Sequence, residues 1–497
     1  MEPKNAEAKD GAPTRLIVGP FNRVEGDLEV RLEVADGAVA AAYVNAPLFR
    51  GFERILEGRA PGDALVVAPR ICGICSVSQS HAAALALAAA QGPGAGMPVN
   101  GLLATNLMTA TENVADHLTH FHLFFMPDFA RAPYAGRPWF AAAEARFKAA
   151  TGSAVRAAIA ARAELFHVLG LMGGKWPHTL TLRPGGVARA LDGRDRVRLM
   201  AILAAFRRFL ETSLFGARLE AVAELAGTDD LERWRTAGPP GDFRLFMEIA
   251  ADLGLERLGR AYDRFLSHGA YPLPGGGHLY ARGTVADGRS APFDPAAVAE
   301  HHRYSRMAGQ DRPHPPFAGS TEPIGDPDDD GYTWCKAPRL DGRPYETGAV
   351  ARQMTDGHPL VRALVARDGA GVTARVVARL LELARTTVAM EGWARTLDPA
   401  GPWCSEGALP DTARAVGLTE AARGALGHWL RIERGRIAGY QIIAPTTWNF
   451  SPRDLNGVPG PLEAALVGAP VHPGETTPLA VQHVVRSFDP CMVCTVH

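Results

Sequence analysis

"RICGICSVSQSH", residues 70–81, places one Cys-x-x-Cys pair, Cys72 and Cys75, near the start of the chain, and "DPCMVCTVH", residues 489–497, places a second, Cys491 and Cys494, at its end. The pairs stand roughly 400 residues apart, whereas local zinc ribbons separate theirs by roughly 15–20. If both pairs bind one ion, the whole fold must carry one end of the chain to the other. Thiolates are soft ligands that suit zinc, iron and nickel. On thiol chemistry alone a structural zinc site is the first reading and two separate redox pairs the next. Six cysteines in 497 residues are too few for a disulfide scaffold.

With 47% hydrophobic residues, the chain can fill a large core. Its 52 basic and 53 acidic residues leave a net charge of −1, which points to neither nucleic acid nor an anionic membrane as partner. The most apolar run, "HAAALALAAA" at 81–90, is about half the length of a membrane span and reads as a buried helix. The opening "MEPKNAEAKDGAPTR" lacks the apolar core of a signal peptide, so residues 1–19 read as a flexible lead-in to a cytoplasmic protein; the alternatives are export alongside a partner that carries its own signal and membrane association through a partner.

Periodicity predicts an α+β, mainly helical fold. Leu28, Val30, Leu32 and Val34 alternate ahead of an Asp36-Gly37 turn, a hairpin signal. Helical patterns cover about 101–126, 140–171, 193–222 and 372–397 and predict a central bundle with small N-terminal and peripheral sheets. Residues 270–345, rich in Pro and Gly, read as an ordered excursion over that bundle. "LRIERGRIAGYQIIAP" predicts a second hairpin turning near Arg434-Gly435. Residues 20–497 are expected to form one large domain.

"RICGIC" and "DPCMVCTVH" resemble the two signatures of the large, catalytic subunit of nickel-iron hydrogenases. "NRVEGDLEV", "LFRGFE", "ADHLTHFH", "GGKWPH", "YTWCKAPR", "ARGALGHW" and "APTTWNFSPRD" look like blocks of the same family in the same order. The resemblance implies heterolytic cleavage of dihydrogen, with both cysteine pairs meeting at a buried site. Cys72 and Cys491 match the terminal nickel ligands, Cys75 and Cys494 the bridges to an iron that carries one carbon monoxide and two cyanides. Cys491 is the thiolate that would take the proton and Glu25 the carboxyl that would relay it. Glu53 and His497 resemble ligands of a magnesium-like ion. Arg423 looks like the guanidinium above the metals, held by Asp116 and Asp489, and Thr446 like a hydroxyl bonded to a cyanide.

Two positions depart from the common pattern. Ala422 stands where the family often has proline, and Gln79 where many members have histidine. Gln79 resembles the subgroup of hydrogen-sensing and certain uptake enzymes, and it predicts an altered hydrogen bond near a bridging thiolate. The absence of residues beyond His497 fits either the sensing type or a mature uptake enzyme; sensing is the preferred expectation. Cys335 and Cys404 read as structural, since an iron-sulfur cluster usually takes four ligands. The resemblance therefore implies a small subunit carrying the iron-sulfur clusters, maturation proteins, and either a sensor histidine kinase or a respiratory electron acceptor. A zinc-stabilised structural subunit, or a quinone-reductase-like relative without metals, is the alternative.

Overall fold

The computed structural model describes residues 14–92, 96–325, 330–405 and 407–497. Strands β1 (Thr14–Val18), β2 (Glu29–Ala35) and β3 (Ala38–Asn45) form an antiparallel meander. Ala35 pairs with Ala38 across Asp36 and Gly37, whose φ values of 49° and 73° give the two-residue turn that suits a twisted hairpin. Val30 and Leu32 are buried as the alternation predicts. The lead-in expected through residue 19 needs correcting: Leu16 pairs with Leu32 and Val18 with Val30, so Thr14–Val18 is an edge strand. The rest of that expectation, residues 1–13, falls outside the described residues.

The helical core contains α1 (Ser76–Gln91), α2 (Val99–Thr119), α3 (Ser153–Leu165), α4 (Gly193–Phe209) and α5 (Val372–Thr396). Helix α2 widens into a π-type turn over His120–Phe125. The pattern at 140–171 resolves into three helices, Phe140–Phe147, α3 and His167–Gly173. Among the described residues no helix is long and apolar enough to cross a membrane.

The Pro/Gly-rich excursion is strand-rich. Strands β4 (Phe265–Pro272), β5 (His278–Ala286) and β6 (Arg289–Ala291) form one sheet, and β7 (Val298–His301) pairs with β8 (Ala337–Leu340). Strands β9 (Ala413–Ala421), β10 (Gly424–Glu433) and β11 (Arg436–Ile443) form the third three-stranded antiparallel sheet, called the third sheet below. Its β10–β11 turn is at Arg434-Gly435, both at positive φ. The fold is thus mixed helix and strand, with more sheet than the periodicity suggested.

Helix α1 lies directly on β9. A side chain at Gly417 would put its Cβ 2.1 Å from the Ala82 carbonyl oxygen and 2.4 Å from the Ala86 nitrogen, so this approach needs glycine on the strand. Alanines on the helix allow the same closeness from the other side. The chain ends are joined next to it: Glu25 N–H donates to Pro490 O (3.3 Å), and Met492 N–H to Glu25 O (2.7 Å). Cys72, Cys75, Cys491 and Cys494 share one apolar cluster with the alanines of α1 and with Leu426, Leu430, Ile437 and Ile442 of the third sheet.

Candidate metal centre

Cys75 immediately precedes α1, and Cys491 precedes the short helix Met492–Thr495. Cys72 Sγ lies 3.5 Å from Cys491 Sγ, Cys75 Sγ 3.0 Å from Cys494 Sγ, and Cys491 Sγ 3.2 Å from Cys494 Sγ. All four sulfurs fall within 4.8 Å of one another and all are buried. These separations exceed the S–S bond of about 2.05 Å, and the four thiols are free.

Sulfurs this close cannot all ionise unaided. Hydrogen bonds from the other three thiols, helped by Arg423, draw Cys72 well below the usual thiol range. The same sulfur contacts hold Cys75 well above it, and burial holds Cys494 there and raises Cys491. One thiolate is what the cluster supports alone. Four need cations, and the donor set suits soft or borderline ones.

Arg423 stands in the two-residue turn between β9 and β10, where Ala421 pairs with Gly424. Its Nη1 donates to Asp116 Oδ2 (2.9 Å), its Nη2 to Asp489 Oδ1 (3.2 Å) and its Nε to Asp489 O (3.0 Å). Burial pushes the Asp116 carboxyl up to about 7 against the pull of this guanidinium. Thr446 Oγ1 accepts from Cys491 N–H at 3.1 Å. Glu25 is half-buried; burial and then the Cys72 thiolate raise its carboxyl, and Arg423 opposes them.

A second polar centre forms where His497 meets the third sheet. Its Nδ1 donates to Cys494 O (2.9 Å), and its Nε2 faces Ile442 O (2.7 Å) and Glu53 Oε1 (3.3 Å). Glu53 also accepts from Ile442 N–H (2.7 Å), from Thr321 and from Lys336 Nζ (3.2 Å). Lys336 is 3.7 Å from Glu300 Oε2, while Glu300 Oε1 is buried without a partner. A cavity of about 10 Å³ lies among Glu53, Glu300, Lys336, Ile442 and His497.

The family model described as nickel-dependent hydrogenase matches residues 50–135 and 246–497. The chain belongs to the nickel-dependent hydrogenase family. It is 30% identical to the periplasmic [NiFeSe] hydrogenase large subunit of Desulfomicrobium baculatum, over 99% of this chain and 96% of that one. It is 24% identical to the hydrogenase-2 large chain of Escherichia coli strain K12, over 97% of each. Among solved structures, the reduced Ni-Fe-Se hydrogenase of D. vulgaris Hildenborough superposes with a TM-score of 0.82 at 28% identity, covering 97% of this chain and all of that one. The chain is a hydrogenase large subunit, and family and donor set together displace the zinc reading.

Much of what holds this hydrogenase centre was not singled out in the sequence. Arg352 donates to Glu382, Glu420 and the carbonyls of Ala421 and Ala422, all at 2.6–2.9 Å, fixing the turn that carries Arg423. Glu112 accepts from Val77 N–H, Ser78 N–H, Ser78 Oγ and Trp176 Nε1 and so anchors the first turn of α1 behind Cys75. Burial pushes its carboxyl up to about 8. Lys336 lies inside "YTWCKAPR", a block that had signalled the family without signalling this role. Cys335 Sγ donates to Lys336 O, and neither Cys335 nor Cys404 belongs to the cluster of four.

Proposed function

We propose that this subunit holds nickel through Cys72, Cys75, Cys491 and Cys494, with Cys75 and Cys494 shared with iron, and that dihydrogen is cleaved there. The observation carrying this is the convergence of four buried thiols, within 4.8 Å, under a guanidinium held by two aspartates. When bound, the two metals, the iron bearing one carbon monoxide and two cyanides, supply the heterolytic cleavage of dihydrogen.

The chain's own residues handle the proton. Cys491 Sγ receives it in a pocket closed to water, and Arg423 offsets the negative charge of the thiolates. Glu25 is tied through its backbone to residues 490 and 492, and its carboxyl, raised by burial, accepts and releases the proton. Thr446 spends its oxygen's acceptor role on Cys491 N–H and keeps its hydroxyl proton for an iron ligand. Electrons leave through an iron-sulfur small subunit, since only Cys335 and Cys404 remain outside the cluster of four and an iron-sulfur cluster usually takes four ligands.

At the second centre Glu53 Oε1, Ile442 O and His497 Nε2 suit a small oxygen-preferring cation such as magnesium, in a cavity with room for about one water-sized body. Elemental analysis of the purified heterodimer tests the thiol cluster: nickel and iron near one each support the proposal, and zinc without nickel refutes it.

Within that activity, Gln79 favours a hydrogen-sensing role in the cytoplasm, signalling to a kinase, over respiratory uptake. The measurement is hydrogen-induced transcription of other hydrogenase genes in a Cys491→Ala strain. Lost induction with little change in bulk hydrogen consumption supports sensing; intact induction with lost hydrogen-dependent respiration supports uptake.

A further inference from the structure

Gln79 stands between a bridging sulfur and two buried residues of the third sheet. Its Nε2 is 4.0 Å from Cys494 Sγ, its Oε1 is 2.8 Å from His428 Nε2, and His428 Nδ1 is 2.8 Å from Tyr440 Oη. None of the three side chains is more than 1% exposed. His428 on β10 pairs with Ile442 on β11, and Leu430 with Tyr440, so His428 and Tyr440 are diagonal cross-strand neighbours. Their rings meet edge-on, 5.5 Å between centroids.

Taken alone, the chain of contacts closes in either direction. Turning the amide over reverses each donor and acceptor, and the imidazole tautomer follows. The sulfur decides the direction. A thiolate shared between two metals, unlike the terminal Cys491, has its lone pairs engaged and carries no proton, so Cys494 can only accept, and the amide must present Nε2–H to it. Gln79 Oε1 then faces His428, whose Nε2 must bear the proton, and His428 Nδ1 must accept from the Tyr440 hydroxyl. Burial drives the His428 imidazole down to about 3 and raises the Tyr440 phenol, so both stay neutral while they do this.

We propose that His428 and Tyr440 are positioning residues that lock the Gln79 amide with its N–H on the Cys494 sulfur. The bridging thiolate then keeps one neutral, fixed donor, and that donor sets how much electron density the sulfur gives to the metals. The amide has no titratable proton, so this donor does not come and go with pH. The inference rests on Cys494 being a metal ligand, as proposed above.

The test uses the purified heterodimer and reads nickel and iron content together with the electron paramagnetic resonance signature of nickel in the oxidised enzyme. Wild type is compared with Gln79→Leu, His428→Phe, Tyr440→Phe and the double variant Gln79→Leu/Tyr440→Phe. Expected are full metal content throughout, the largest shift in Gln79→Leu, smaller shifts in the same direction in His428→Phe and Tyr440→Phe, and no shift beyond Gln79→Leu in the double variant. An unchanged signature in Tyr440→Phe overturns the proposal. So does a Tyr440→Phe shift that persists undiminished once Gln79 is leucine, or loss of nickel in Tyr440→Phe, which keeps the ring and its packing. Wild-type protein without nickel would instead refute the metal assignment itself.

Discussion

The two buried polar centres differ in how they balance charge. At the C-terminal one, Lys336 lies within 3.2–3.7 Å of Glu53 and Glu300, and Glu53 also accepts from Thr321 and from Ile442 N–H. Much of its negative charge is already met by the protein. At the thiol cluster, Arg423 is the nearby cation and is itself shared with Asp116 and Asp489. Four thiolates there depend on metal. Buried ionisable groups therefore do not by themselves mark a metal site; the imbalance between available charge and available partners does.

The largest effect follows from that imbalance. Cys491→Ser replaces a soft donor with a hard, poorly ionised one, and the purified heterodimer is expected to lose its nickel and with it hydrogen-dependent reduction of an artificial acceptor. Retained nickel with full activity would put the reacting site elsewhere. Next in size is Lys336→Met at the other centre. Removing the ammonium leaves two buried carboxylates facing each other, a loss of about 3–5 kcal/mol read by chemical denaturation. If the 10 Å³ cavity takes a cation, magnesium should recover part of this stability; no recovery would leave the centre a purely internal ion pair.

The sequence carried the two hairpins because Asp36-Gly37 and Arg434-Gly435 need positive φ at both central positions, a local demand that local residues reveal. It carried the existence of the helices but not their ends, since the break after Phe147 and the π-type turn at His120 are set by tertiary packing. The meeting of the cysteine pairs is invisible to spacing and came from resemblance to a family. The supporting network was hidden for a different reason. In "VTARVVARLLELARTT" the helical pattern leaves open which face is buried, and the polar stripe is: Arg375, Arg379 and Glu382 are 2%, 4% and 3% exposed. In α5 that stripe faces the site: Arg375 pairs with Glu346, Arg379 donates to Ser487 O, and Glu382 meets Arg352 and His117. Periodicity separates polar from apolar faces without saying which one meets water.

That internal stripe gives the charge comparison a pH signature. Glu382 and Glu420 share Arg352. Burial raises Glu382, but the charge and the two hydrogen bonds of Arg352, together with the contact with His117, outweigh it and bring its carboxyl down to about 2. For Glu420, burial prevails over the same arginine, and the carboxyl rises to about 7. Glu382 thus contributes stability that is full above its ordinary value near 4.5 and is lost as pH falls through about 2. Glu420 acts in the opposite sense, costing stability as pH rises from about 4.5 to 7. Glu382→Gln should flatten the acid limb of the stability profile and Glu420→Gln the limb between 4.5 and 7. Identical profiles for the two variants would show that Arg352 does not discriminate between its partners.

The smallest expected effect separates the two ends of one strand. β10 begins beside the turn that carries Arg423 and ends at the Arg434-Gly435 turn, whose outer residue has φ 68°. Gly435→Ala meets open space, with only Asp411 Oδ1 at 3.4 Å, so its cost is the left-handed backbone alone, about 1–2 kcal/mol. Nickel content and turnover should not change, because His428 and Arg423 are held by Gln79, Tyr440, Asp116, Asp489 and the Arg352-bound turn rather than by the distal hairpin end. A loss of nickel in Gly435→Ala larger than its loss of stability would mean that strain travels the length of β10. The metal centre would then depend on the register of the whole sheet and not on the side chains that ring it.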